Sequence, residues 1–291
     1  MTDLIRVSHG LWRPPADVVD LPGRCAALLG VLPPGSVFSG VTAASLHGLW
    51  LPEGQLGKVE VTITRDALAP REFAGSRRSD LRARRRTLAS DDRDFVGGLP
   101  VTSAARTWID LAAELPMPDL VAAGDSVLRR PGSADSLREA LNRARGQRGV
   151  CAARAAVEFL DPRSISRPES HLRYAVLSSG LPPPLVNMPI YTARGEWLAE
   201  PDLCYRAARV ALEYNGSDHA TVRRMRRDMT RGVDLVAHGW LAIAFGPAEV
   251  FGRPWQIGPL VAQVLEDRAP ALLREWRERR RVMRHTAPLA G

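Results

Sequence analysis

The stretch from Gly195 to Gly216, GEWLAEPDLCYRAARVALEYNG, constrains the fold more than any other part of the chain. Two short runs of alternating character flank Ala207 and Ala208, which predicts an antiparallel hairpin with a tight turn. Facing residues in that hairpin have numbers that sum to 415, so Asp202 stands opposite Glu213. Directly opposed residues have Cβ atoms roughly 4.5–5.5 Å apart, which places both carboxylates on one face. Val210, Leu212 and Tyr214 alternate onto the other, as a half-buried strand requires. Two carboxylates that close repel unless a cation sits between them, and an all-oxygen ligand set suits Mg²⁺ or the similar Mn²⁺. The hairpin is a candidate metal site.

Pro201-Asp202, ten intervening residues and then Glu213-Tyr214-Asn215 resembles the PD-(D/E)xK nuclease motif. Asn215 stands where that motif has lysine. Lys58 is the only lysine in the chain and lies far upstream, so no lysine from a neighbouring element can substitute. Asn215 offers a hydrogen-bond donor at that position but no charge.

At 291 residues the chain is long enough for two domains with separate cores. With 45% hydrophobic and 25% charged residues its composition is that of a soluble globular protein. The net charge is +8 and the pI about 10.3, because nearly every cation is arginine. That excess fits a nucleic-acid partner, and it fits a compositional bias equally well. No apolar run reaches the roughly 18 residues of a membrane span, and no signal-peptide core precedes the first domain. Cys25, Cys151 and Cys204 are few and widely spaced, which suits reduced thiols in a cytoplasmic protein.

The expected organisation is an α+β domain over 1–135, a helical connector over 136–163, an α/β domain over 164–260 and a basic helical tail over 261–291. Within the first, KVEVTIT from Lys58 to Thr64 alternates like a strand, and the arginine-rich segment with Arg77, Arg78, Arg82, Arg84, Arg85 and Arg86 reads as a solvated strand and loop. Thr102 or Ser103 caps a helix running through Leu115, in which Arg106 and Asp110 form an i,i+4 pair. In the second, a helix starts at Ser166, ends before Gly180, and is followed by the hairpin, a helix over 220–237, and the buried-type strand WLAIAF from Trp240 to Phe245.

Two resemblances follow from these residues. Ser166-x-x-Glu169-x-x-x-Arg173, Gly180-Leu181-Pro182, Pro201-Asp202-Leu203, Glu213-Tyr214-Asn215-Gly216, His219, Arg227-Asp228-x-x-Arg231 and Gly239-Trp240 resemble the family related to very-short-patch-repair (Vsr-type) endonucleases. This resemblance implies a restriction-endonuclease-like α/β core, a mixed sheet flanked by helices. Asp202 and Glu213 would hold Mg²⁺, Glu169 would approach as a third carboxylate, and His219 would act near the scissile phosphate. Glu169 also completes a capping box with Ser166 whatever the domain does. Arg223, Arg224, Arg227 and Arg231 would hold DNA phosphates or form a solvated helix face. Thr42-Ala43-Ala44-x-Leu46-x-Gly48-Leu49, Val61-Thr62-Ile63 and the run from Gly98 to Ala112 are similar to the AbiEi-type antitoxin-like domain, which implies a cognate toxin as partner.

The expected function is Mg²⁺-dependent hydrolysis of DNA phosphodiesters, linked to toxin–antitoxin or phage-defence systems. The alternative is a non-catalytic DNA-binding antitoxin or transcription regulator with a degenerate nuclease core.

Overall fold

The computed structural model describes residues 5–8, 11–13, 20–54, 57–64, 80–216 and 234–286. The chain divides into two compact units, Met1–Leu160 and Asp161–Gly291.

In unit 1, β1 (Ile5–Ser8) pairs with β2 (Leu11–Arg13), and α1 (Leu21–Leu29) starts at Asp20, whose side chain accepts from the Gly23 N–H at 2.8 Å. A five-stranded mixed sheet follows, built from β3 (Ser36–Phe38), β4 (Val59–Thr64), β5 (Leu81–Arg86), β6 (Arg93–Val96) and β7 (Leu99–Thr102) in the order β5-β4-β3-β7-β6. Gly97 and Gly98, with φ of +56° and +80°, make the two-residue β6–β7 connection that two successive left-handed residues permit. β4 alternates as its sequence implies, yet all six of its residues are buried. Val59 and Val61 join the core with Cys25, Leu28 and Phe38. The polar face meets α2 (Gly40–Leu46) and the residue that precedes it. The Glu60 N–H donates to Thr42 Oγ1 at 2.8 Å, and Thr62 Oγ1 donates to Ser39 Oγ at 3.0 Å.

The unit is completed by α3 (Ala104–Leu111), α4 (Met117–Leu128), α5 (Ser133–Arg143) and α6 (Val150–Val157). Ser103, not Thr102, caps α3, and Trp108 is fully buried with its indole N–H on the Leu120 carbonyl at 2.8 Å. Leu137, Ala140, Ala153 and Ala156 are buried, so the helices expected as a connector, α5 and α6, pack against α3 and α4 inside this unit.

Unit 2 opens with α7 (Arg167–Ser178), followed by β8 (Leu185–Val186), the pair β9 (Ile190–Tyr191) and β10 (Trp197–Ala199), then β11 (Leu203–Tyr205), β12 (Val210–Tyr214) and β13 (Leu241–Phe245). The main sheet has the order β13-β12-β11-β8 and is mixed, because β12 and β13 run parallel while the other pairs are antiparallel. The helices α8 (Ile257–Arg268) and α9 (Pro270–Thr286) follow. Leu172, Val176, Leu203, Tyr205, Val210, Leu212, Ile257, Val261 and Leu265 form the core on one sheet face, while Ile190, Leu198, Cys204 and Leu235 form a smaller cluster on the other.

Two further expectations need correction. WLAIAF is not buried on both faces: β13 ends the sheet order among the described residues, and Ala242 and Ala244 are exposed. The tail boundary expected at 260/261 falls inside α8, whose Val261 and Leu265 belong to the core. Of the helix expected over 220–237, only residues 234–237 are described, and they are helical.

Candidate functional site

The hairpin register is the expected one. Leu203 pairs with Leu212, Cys204 with Ala211 and Tyr205 with Val210, so each pair sums to 415. The turn is a short 3-10 segment over Arg206–Ala208 followed by Arg209 in the left-handed region at φ 51°. Leu203, Tyr205, Val210 and Leu212 face the main core while Cys204 faces the second cluster, so the alternation holds. Burial pushes the Cys204 thiol above its ordinary pKa, with Arg206 opposing, which leaves it a poor nucleophile.

Continuing the register brings Asp202 opposite Glu213. The Asp202 side chain does more than face its partner: its Oδ2 accepts the Tyr214 N–H at 2.7 Å, extending the β11–β12 ladder by one side-chain bond. Glu213 is half-buried and Asn215 is exposed, with the Asn215 N–H on the Phe245 carbonyl at 2.9 Å.

Glu169 lies at the start of α7, 6% exposed. It accepts Ser166 Oγ–H on Oε1 at 2.7 Å and the Ile165 N–H on Oε2 at 2.9 Å, while the Ser166 Oγ accepts the Glu169 N–H at 3.4 Å. The capping role is therefore fulfilled. Asn187 then ties this cap to the hairpin. Its Nδ2 donates to Glu169 Oε2 at 2.8 Å and to the Arg163 carbonyl at 2.7 Å, and its N–H donates to the Asp202 carbonyl at 2.9 Å. Asn187 sits at φ 45°, in the left-handed region that asparagine tolerates better than most residues. Sequence reading missed it; the available signal was an asparagine directly after a short apolar strand.

Beside this cluster His171, 6% exposed, meets the Phe251 ring edge-on with centroids 4.9 Å apart. The Arg167 guanidinium carbon is 4.8 Å from the same ring centroid, and Tyr214 approaches it at 6.1 Å. Phe251 lies in a π-helical turn over Ala248–Gly252, a geometry that recurs at functional sites.

Among the described residues no group of three or more His, Cys, Asp or Glu side chains is placed to hold a metal ion, so Asp202, Glu213 and Glu169 do not gather into a three-carboxylate centre. His219, Arg223, Arg224, Arg227 and Arg231 lie outside the described residues, as do Arg77 and Arg78.

The arginines of β5 are more than a solvated face: Arg82 and Arg85 are exposed, but Arg82, Arg84 and Arg86 also reach carboxylates. Arg82 Nη1 contacts Glu60 Oε1 and Glu114 Oε2 at 3.0 Å each, and Arg84 also binds Glu114. Arg86 meets Asp110 at 2.6 Å. Arg106 pairs with Asp110 at 3.1 Å, as expected, and with Asp92 at 3.4 Å, while Arg143 meets Asp92 at 3.0 Å. Burial raises the Glu60 pKa, with Arg84 opposing. Burial acts the same way on Glu114, but hydrogen bonds from Arg84 and Arg82 outweigh it and lower that pKa.

Two proteins of Mycobacterium tuberculosis, both uncharacterised, from strains CDC 1551 / Oshkosh and H37Rv, are each 32% identical to this chain over 270 residues. The aligned region covers 90% of this chain and 93% of each relative, so the likeness spans both units. The chain belongs to their family. A family model described as AbiEi antitoxin C-terminal domain matches residues 36–162, from β3 through the end of unit 1. The protein therefore carries an AbiEi antitoxin-like domain that includes the charge network of Glu60, Arg82, Arg106 and Asp110. No solved structure matches the chain. Among the described residues no helix is long and apolar enough to cross a membrane.

Proposed function

We propose that this protein acts by binding, as an antitoxin-type regulator, and that unit 2 uses a nuclease-like frame to hold DNA rather than to cut it. The observation that carries this reading is where the candidate carboxylates point. Asp202 accepts a backbone N–H of β12, and both oxygens of Glu169 accept donors that cap α7 and join it to Asn187. Groups that hold the fold in this way are costly to redirect, since each buried donor left behind is worth about 1–3 kcal/mol. Asn215 in place of the motif lysine agrees, because an amide offsets no transition-state charge. The antitoxin-like domain over 36–162 supports a protein toxin as the second partner.

The hydrolytic reading keeps one specific support: the β11–β12 register, continued one residue beyond Leu203 and Leu212, brings Asp202 opposite Glu213. Mg²⁺ is commonly held by one or two carboxylates with water and substrate phosphates. Asp202 and Glu213 would hold it here, supplying a bound water of lowered pKa for attack on phosphorus.

Supercoiled plasmid with Mg²⁺ or Mn²⁺, combined with salt-dependent retention of duplex DNA, separates the two. Retention without nicking is the expected result. Nicking that disappears in the Asp202→Ala, Glu213→Ala double variant would overturn the binding-only reading in favour of hydrolysis.

A further inference from the structure

The sequence of α9, PALLREWRERRRVMRHT, holds six arginines and two glutamates. Its inward side is fixed by residues at helical spacing. Leu273 is 2% exposed, the Trp276 indole N–H donates to the Gly180 carbonyl at 2.9 Å, and Arg280 Nη1 donates to the same carbonyl at 3.0 Å. Gly180 is the C′ residue of α7, at φ +81°. Shifting each of those three positions by one gives Arg274, Arg277 and Arg281, a stripe rotated by about 100° and exposed along its length. The anchoring of one stripe thus sets the direction of the next.

Arg274 makes no ion pair among the described residues. Arg277 meets Glu266 at 2.7 Å, but both side chains are more than half exposed, and such a pair is weak and easily exchanged for another anion. Glu278 is the one carboxylate of α9 whose spacing puts it beside the stripe. Arg274 and Arg277 thus differ from Arg82, Arg84 and Arg86 of β5, which meet Glu60, Glu114 and Asp110. From Arg274 to Arg281 the helix rises about 10 Å, a distance over which duplex DNA presents about six phosphates.

We propose that the Arg274–Arg277–Arg281 stripe of α9 binds the phosphate backbone, lying along duplex DNA. The proposal rests on the DNA-binding reading of this unit. It assigns no base recognition, because arginines on backbone phosphates fix position and not sequence.

The test is fluorescence anisotropy of a labelled random-sequence duplex with the full chain, over a salt series. Replacing all three arginines by glutamine should flatten the log–log salt slope by about 2–3, near 0.9 for each phosphate that is no longer neutralised. The triple lysine variant should keep the wild-type slope, since lysine retains the charge. Arg279→Gln, on the other flank, should change it by less than about 1. Far-UV circular dichroism checks that the variants fold. A triple glutamine variant that folds and keeps the wild-type slope overturns the proposal. So does one that keeps its DNA slope but no longer binds polyglutamate, which would reassign the stripe to an acidic protein. If the wild type itself shows no salt-sensitive DNA binding, the DNA-binding reading fails first and takes the stripe with it.

Discussion

In unit 1 the arginines of β5 and α3 meet Glu60, Glu114, Asp110 and Asp92, and several of these groups are buried. In unit 2 Arg274 and Arg277 on α9 face solvent, and the pair that Arg277 makes with Glu266 is itself exposed. The same residue type therefore does two jobs. In the antitoxin-like domain it neutralises carboxylates that the fold has desolvated; on the last helix it keeps an external field. The lesson is that a basic excess of +8 indicates a polyanion partner only once the internally neutralised cations have been set aside.

Removing one arginine from each unit separates the two roles most directly. Arg106→Ala removes the buried partner that Asp92 and Asp110 share, leaving them only the more exposed Arg143 and Arg86, and should cost up to about 3–5 kcal/mol in urea unfolding of unit 1. Arg274→Ala should stay within about 0.5 kcal/mol. Equal losses would show that the two arginine populations do not differ in kind.

Asp202 offers the next largest effect and asks whether unit 2 also uses a charged group structurally. Asp202→Ala should cost about 1–3 kcal/mol by leaving the Tyr214 N–H without its acceptor. Asp202→Asn, which keeps an acceptor oxygen, should retain most of that stability. If both variants destabilise equally, the ladder-extending role is wrong and charge itself is what matters at this position.

Gly180→Ala sharpens the account of how α9 is held. An alanine at φ +81° costs about 1–2 kcal/mol, and its Cβ would stand 2.5 Å from Arg280 Nη1. The expected outcome is a lowered thermal midpoint and weaker DNA retention together. A change in stability that leaves retention intact would separate the anchor from the stripe.

The smallest effect is a pH dependence that belongs to unit 1. Burial raises the Glu60 pKa, so the folded state holds that proton more tightly than the unfolded chain does. Its contribution is fully present below the ordinary value of 4.5 and is lost as pH rises through the raised value. Glu114, whose pKa is lowered, acts in the other direction: its contribution is present above 4.5 and is lost as pH falls through the depressed value. Glu60→Gln should flatten the decline of stability from 4.5 toward neutral pH, as read by urea midpoints. An unchanged profile would remove Glu60 as its source.

Much of the local structure was legible in the sequence. The 415 register needed only alternation and turn length, and side-chain chemistry alone gave the cap at Ser166 and narrowed the α3 cap to Thr102 or Ser103. What was hidden depends on partners distant in sequence. Glu60 lies 22 positions from Arg82, and Glu114 lies 32 from it, so the arginine-rich strand looked solvated when read alone. WLAIAF illustrates a different limit, because a short apolar run does not say whether one face or two are covered. Asp202 and Glu213 were legible as neighbours, but the Tyr214 N–H that claims Asp202 belongs to the ladder and carries no side-chain signature. Asn187 was missed for a similar reason: its importance comes from the three groups it joins, which no local pattern displays.

The Gly180 carbonyl receives Trp276 and Arg280, which follow it by 96 and 100 positions. On a ribosome, α7 and the strands that follow it emerge before the groups that cover the end of α7 have been made. Closing so wide a loop is entropically slow, which makes docking of the last helix the expected late step in the folding of unit 2. Until then the chain would display the apolar side of α9 and the bare end of α7, which makes synthesis itself the period of greatest exposure to aggregation and proteolysis.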